Sequence, residues 1–122
     1  MNIASNILVF LVAVLHINFL VLEMFFWRKP LGLKVFRNTL EKAESSAVLA
    51  ANQGLYNGFL SAGLIWGLLH PDGVFGSQIK IFFLACVIVA GLYGAMTVSK
   101  KIFYVQALPA ILGLLFVILG SV

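Results

Sequence analysis

Residues able to do chemistry are few in this chain, and they recur at helical spacing. In "HINFLVLEMFFW", His16 and Glu23 are seven residues apart, which sets them within about 20° of each other on one helix face. In "NQGLYNGF", residues 52–59, Asn52, Gln53, Tyr56 and Asn57 fall together. There Asn52 stacks on Tyr56, and Gln53 on Asn57, at i, i+4. Tyr93 and Thr97 repeat the spacing, and Gln106 follows nine residues later. An acid with a histidine can bind a cation, relay a proton or act as an acid/base pair. Amides and tyrosines supply neutral donors and acceptors for a small polar solute or a lipid headgroup.

The elements that hold these residues are apolar. The chain has 122 residues, of which 62% are hydrophobic and 10% charged, with a mean hydropathy of +1.10. A soluble domain of this length needs more polar surface, so the composition is that of an integral membrane protein. Four apolar runs, about 3–27, 46–69, 79–98 and 102–119, approach the roughly 20 residues needed to cross a hydrocarbon core. Backbone groups in lipid must bond internally, so the expectation is an all-α, antiparallel four-helix transmembrane bundle forming a single domain. The first run is long, and its Arg28 and Lys29 follow it rather than precede it. It therefore reads as a retained span and not a cleaved signal. The single cysteine, Cys86, forms no internal disulfide.

Of the eight basic residues, five (Arg28, Lys29, Lys34, Arg37, Lys42) lie between the first two runs and two (Lys100, Lys101) between the last two. "HPDGVFGS" has none, and Lys80 alone lies towards that end. The positive-inside rule then predicts both termini outside and the 28–45 loop in the cytoplasm of a multi-pass protein of the inner or plasma membrane. The net charge of +4 is thus topological, and no nucleic-acid partner is expected. Within that loop, Leu33, Phe36 and Leu40 recur at helical spacing opposite Lys34, Arg37 and Glu41. The pattern predicts an amphipathic helix lying on the membrane surface, in contact with lipid headgroups.

With topology assigned, depth follows at about 1.5 Å per residue. Glu23, Asn52, Gln53 and Gln106 come out roughly 8–10 Å inside the cytoplasmic boundary. Tyr56 and Asn57 lie about a turn deeper, Thr97 and Tyr93 sit three and seven residues before Lys100, and His16 is near the midplane. Together they predict a cytoplasm-facing polar chamber beneath an apolar outer half. Gly54/Gly58 and Gly63/Gly67 form G-x-x-x-G pairs, with Gly91 and Gly94 around Tyr93; such spacing lets helices approach closely. Pro109 predicts a kink that frees the Val105 carbonyl.

Interhelical amide bonds can also be simple glue, at about 0.6 kcal/mol each. Glu23 is different, because an acid inside a span costs roughly 2.5–3.5 kcal/mol on insertion scales. No H-E-x-x-H, phosphate loop, Cys/His spacing or Ser-His-Asp set is present, so no cofactor or metal is expected.

At "HINFLVLEMFFW", "NQGLYNGFLSAGLIWG", "AGLYGAMT" and "VQALPAILGLL" the chain resembles, along its whole length, the small bacterial membrane proteins catalogued as domain of unknown function 1304. The resemblance implies a four-span protein and brings no established activity. The residues themselves point to a protein that binds or transports a small polar or amphipathic ligand, proton-coupled through Glu23. Asn52, Gln53, Tyr56, Asn57, Tyr93, Thr97 and Gln106 would bind it, and so small a carrier is expected to form a homo-oligomer, a dimer at least. Two alternatives stand beside it. One is a small membrane isomerase or hydrolase using Glu23 and His16 as acid and base; the other is a structural protein without a ligand.

Overall fold

The computed structural model describes residues 3–120, and every regular element among them is helical. Helix α1 runs Ile3–Phe25. It stops short of Pro30, whose ring holds Lys29 in an extended conformation at φ −89°, ψ 160°. Pro30 then opens α2, Pro30–Val35, where its missing N–H costs nothing.

The amphipathic helix expected across Leu33, Phe36 and Leu40 is divided. Arg37 adopts φ 50°, and the Asn38 N–H donates to Leu33 O at 2.9 Å while the Arg37 N–H donates to Lys34 O at 3.3 Å. That is a Schellman ending with arginine where glycine is usual. Leu33 therefore belongs to α2, Phe36 to the turn and Leu40 to α3, Leu40–Leu69. Thr39 caps α3 by accepting from the Lys42 N–H at 3.3 Å. With 30 residues, α3 is about 45 Å long, and the apolar run beginning at Ser46 starts inside it.

Helix α4, Gly73–Thr97, also begins earlier than its apolar run. Asp72 Oδ1 accepts from the Val74 and Phe75 N–H groups at 2.9 and 3.0 Å, a side-chain cap that extends the helix back through polar residues. The last run is split into a π-helical segment, Phe103–Ala107, and α5, Leu108–Gly120. The Leu108 N–H bonds to Phe103 O, five residues back. This wide turn lies just before Pro109, whose ring would collide with the Val105 carbonyl in a regular α-helix. The kink expected at Pro109 is therefore an extra residue in the turn.

Helix α1, helix α4 and the stretch Phe103–Gly120 are each long and apolar enough to cross a membrane. Their outward faces carry Ile3, Phe82, Met96 and Leu119, all well exposed, the arrangement of helices whose solvent is lipid.

The chain forms two compact units. One comprises the described residues up to Leu15 and from Leu60 onward. Its core is Val9, Val12, Ala13, Leu64, Leu84, Val87, Ala110 and Val117, drawn from α1, α3, α4 and α5. Ser61 Oγ donates to the Ala13 carbonyl at 2.8 Å inside it. Gly63 lies directly under the Phe83 ring, and a methyl at Gly91 would meet Ala107 N at 2.7 Å. The glycine spacing thus marks close helix approach. The other unit is His16–Phe59, containing the end of α1, α2 and most of α3.

Candidate functional site

Within His16–Phe59, α1 and α3 meet along small residues. A methyl on Gly54 would lie 2.7 Å from Met24 Cγ and 3.2 Å from both Glu23 Cβ and Leu20 O. Gly58, one turn on, faces the end of the Leu20 side chain. This approach brings the short amide of Asn57 to Glu23, and Asn57 Nδ2 donates to Glu23 Oε1 at 2.6 Å. Glu23 is 8% exposed and Asn57 9%. A carboxyl so buried is costly to hold; Asn57 answers one of its oxygens, and no buried side-chain oxygen among the described residues lacks a partner.

Glu23 also lines a groove of about 670 Å³ with Trp27, Arg28, Lys29, Glu44 and Ala51. One wall is fixed, because Trp27 Nε1 donates to Ser46 Oγ at 3.2 Å and Ser46 Oγ donates to the Lys42 carbonyl at 2.7 Å. The Trp27 ring also packs on Phe36, with centroids 4.9 Å apart. The groove lining thus combines a buried hydrogen-bond acceptor, two cationic side chains, a second acid at Glu44 and the apolar surfaces of Met24, Phe25 and Val48.

The expected site residues divide. Asn57 reaches Glu23 but stands behind it, outside the groove lining. His16 is fully buried, edge-on to Phe19 at 5.2 Å, and it does not line the groove. Asn52, Gln53 and Tyr56 lie on exposed faces of α3, with Tyr56 against Phe59. In the other unit Tyr93 and Thr97 are exposed, and the Thr97 hydroxyl donates to its own helix at Tyr93 O, 2.7 Å. Gln106 is partly buried in the π segment.

Sequence reasoning treated Arg28 and Lys29 as topological charges and did not single out Glu44. One signal does locate Asn57. Ala50, Gly54, Asn57, Ser61 and Leu64 are the buried stripe of α3 at alternating four- and three-residue steps. On α1 the buried Ser5, Val9, Val12, His16 and Glu23 share one such stripe.

A chain built of helices, three of them able to cross a membrane, with an acid and an amide paired in its interior, is a helical membrane protein. It belongs to the family described as "Protein of unknown function (DUF1304)", whose model matches residues 10–118. It is 35% identical over 119 residues to "Uncharacterized protein YpaA" of Lactococcus lactis subsp. lactis (strain IL1403), covering 94% of this chain and 97% of that relative. No solved structure matches.

Proposed function

We propose that this protein crosses the membrane four times as an antiparallel bundle and binds, or carries, a small polar or amphipathic molecule at the groove beside Glu23. One observation carries the reading: a buried carboxyl, bonded by Asn57, lines a groove that Arg28 and Lys29 also line. Structural glue needs no groove at the acid, and ionisable groups inside spans are usually functional. The ligand presents a hydrogen-bond donor to Glu23 and an acceptor or anionic group to Arg28 and Lys29, with an apolar body between. Binding is favoured over acid/base catalysis because the groove reaches Glu23 and not His16.

Native mass spectrometry on protein released gently from its own membrane tests this. The expected spectrum shows a reproducible adduct that is not phospholipid, absent from Glu23→Gln and weakened in Asn57→Leu. Wild-type protein bare of such an adduct, or an equal adduct in both variants, would overturn the reading. The same spectrum counts the subunits, for which we propose two or more.

A further inference from the structure

A second cavity, of about 800 Å³, lies at the junction of α3 and α4, wholly within the unit that begins again at Leu60. Its lining includes Asn6, His70, Asp72, Ser77, Gln78 and Lys80. Lys80 is only 6% exposed, although lysine is almost never so buried without a charged partner. Glycines make the burial possible. A methyl on Gly67 would meet Lys80 Cγ at 2.8 Å, and one on Gly76 would meet Gly67 O at 2.9 Å. The helices therefore close on the lysine stem and fix where its ammonium lies.

That ammonium donates to Asn6 Oδ1 at 2.8 Å. Among the described residues it has no other polar partner, and Asn6 is neutral. An ammonium has three donors, so two stay open and the charge stays uncompensated. Asp72, the acid in the lining, already receives the Val74 and Phe75 N–H groups as the cap of α4. The rest of the wall offers donors. His70 Nδ1 lies 3.0 Å from the Asp72 N and 3.2 Å from the Asp72 O; in the tautomer whose Nδ1 accepts the Asp72 N–H, Nε2 carries the ring proton and can donate. Ser77 lies one turn before Lys80 on the same face of α4, and the Asn6 amide contributes its N–H₂ group. The cavity thus holds a buried cation with one neutral partner, neutral donors in its wall, and one acid, Asp72, whose Oδ1 is committed to the α4 cap; the open donors of the ammonium suit an anion.

We infer that this cavity binds a phosphate group, with Lys80 as its charge partner and His70, Ser77 and Asn6 as further hydrogen-bond donors. Phosphate fits better than a planar carboxylate, because the donors come from α1, the α3–α4 turn and α4, and a tetrahedral oxyanion accepts from several directions at once. The phosphate belongs either to a lipid headgroup or to a free phosphate compound.

The test uses the full chain in a phosphate-free maltoside detergent, titrated with inorganic phosphate and separately with short-chain phosphatidylglycerol. Bound species are counted by native mass spectrometry, and thermal shift gives affinity. Wild type is expected to bind at least one of the two probes at one site. Binding of the lipid alone identifies a headgroup site, and binding of inorganic phosphate identifies a site for the free anion. Lys80→Met should weaken binding at least tenfold, and Lys80→Arg should keep most of it. Asn6→Asp sets a carboxylate against the ammonium and should weaken binding as Lys80→Met does, while retaining the lysine should Lys80→Met fail to fold. Glu23→Gln should bind phosphate as wild type does, so this site and the groove stand or fall separately. Failure of both probes to bind wild type, or unchanged affinity in Asn6→Asp, would overturn the inference.

Discussion

Glu23 and Asn57 are a pair whose value lies in each other's presence. Asn57→Leu has nearly the same volume but leaves the carboxyl buried without its donor, which costs about 1–3 kcal/mol. Replacing both partners by leucine removes the two polar groups together, and such exchanges are close to neutral or stabilising. A double-mutant cycle by thermal unfolding in detergent should therefore show Asn57→Leu destabilised by about 1–3 kcal/mol and the Glu23→Leu/Asn57→Leu protein recovering most of it. If Asn57→Leu alone matched wild type, the two side chains would not meet in the folded protein. The cost of Glu23 in a span was plain in the sequence, and depth alone put Asn57 near it. Depth did not choose between faces, however. Asn52, Gln53 and Tyr56 lie at similar levels, but each is turned away from the buried stripe on which Gly54 and Asn57 sit. Small residues at four- and three-residue steps, and not polarity, identify the face that meets α1.

Among the elements, the π segment at Phe103–Ala107 is the feature the sequence hid most completely. Pro109 announced a break in the hydrogen-bond ladder. Whether that break becomes a simple bend or a widened turn depends on what packs opposite, and here it is Gly91 against Ala107. A Cβ at Gly91 would come within 2.7–2.9 Å of Ala107 N, Cβ and Cα. Two of those atoms are backbone, so neither side can swing away. Gly91→Ala should then destabilise by about 1–3 kcal/mol through overpacking. At Gly73 a methyl meets nothing within 4 Å, and Gly73→Ala should be neutral or slightly stabilising, because it restricts the unfolded chain. Comparing the two melting temperatures checks this, and equal shifts would mean that the α4–π contact is looser than described. The surface helix expected between residues 28 and 45 was hidden for a related reason. Its periodicity was real, but Arg37 takes a backbone conformation that composition gives no reason to expect of arginine.

For the molecule as a whole, charge and length bear on one question, the direction in which the chain threads the membrane. Seven of the eight basic residues fall in the segments 28–42 and 100–101, which the positive-inside rule places in the cytoplasm. Lys80 is the lone basic residue towards the other end, and its burial beside Asn6 sets it apart from the loop charges that the positive-inside rule counts. Helix α3, at about 45 Å, exceeds a hydrocarbon core of about 30 Å. It can cross and still carry its charged first turns, with Glu41, Lys42 and Glu44, into water. The proposed four crossings, with the basic segments inside, would put both chain ends and the α3–α4 turn on the outside. In a Cys86→Ala background, a single cysteine is placed at Ser45, Pro71 or Ser99 and reacted with a membrane-impermeant maleimide. Pro71→Cys should label in intact cells, and Ser45→Cys and Ser99→Cys only after permeabilisation. The reverse pattern would invert the protein and move the groove at Glu23 to the outer face. Equal labelling of Ser45→Cys and Pro71→Cys from one side would mean that α3 does not cross at all.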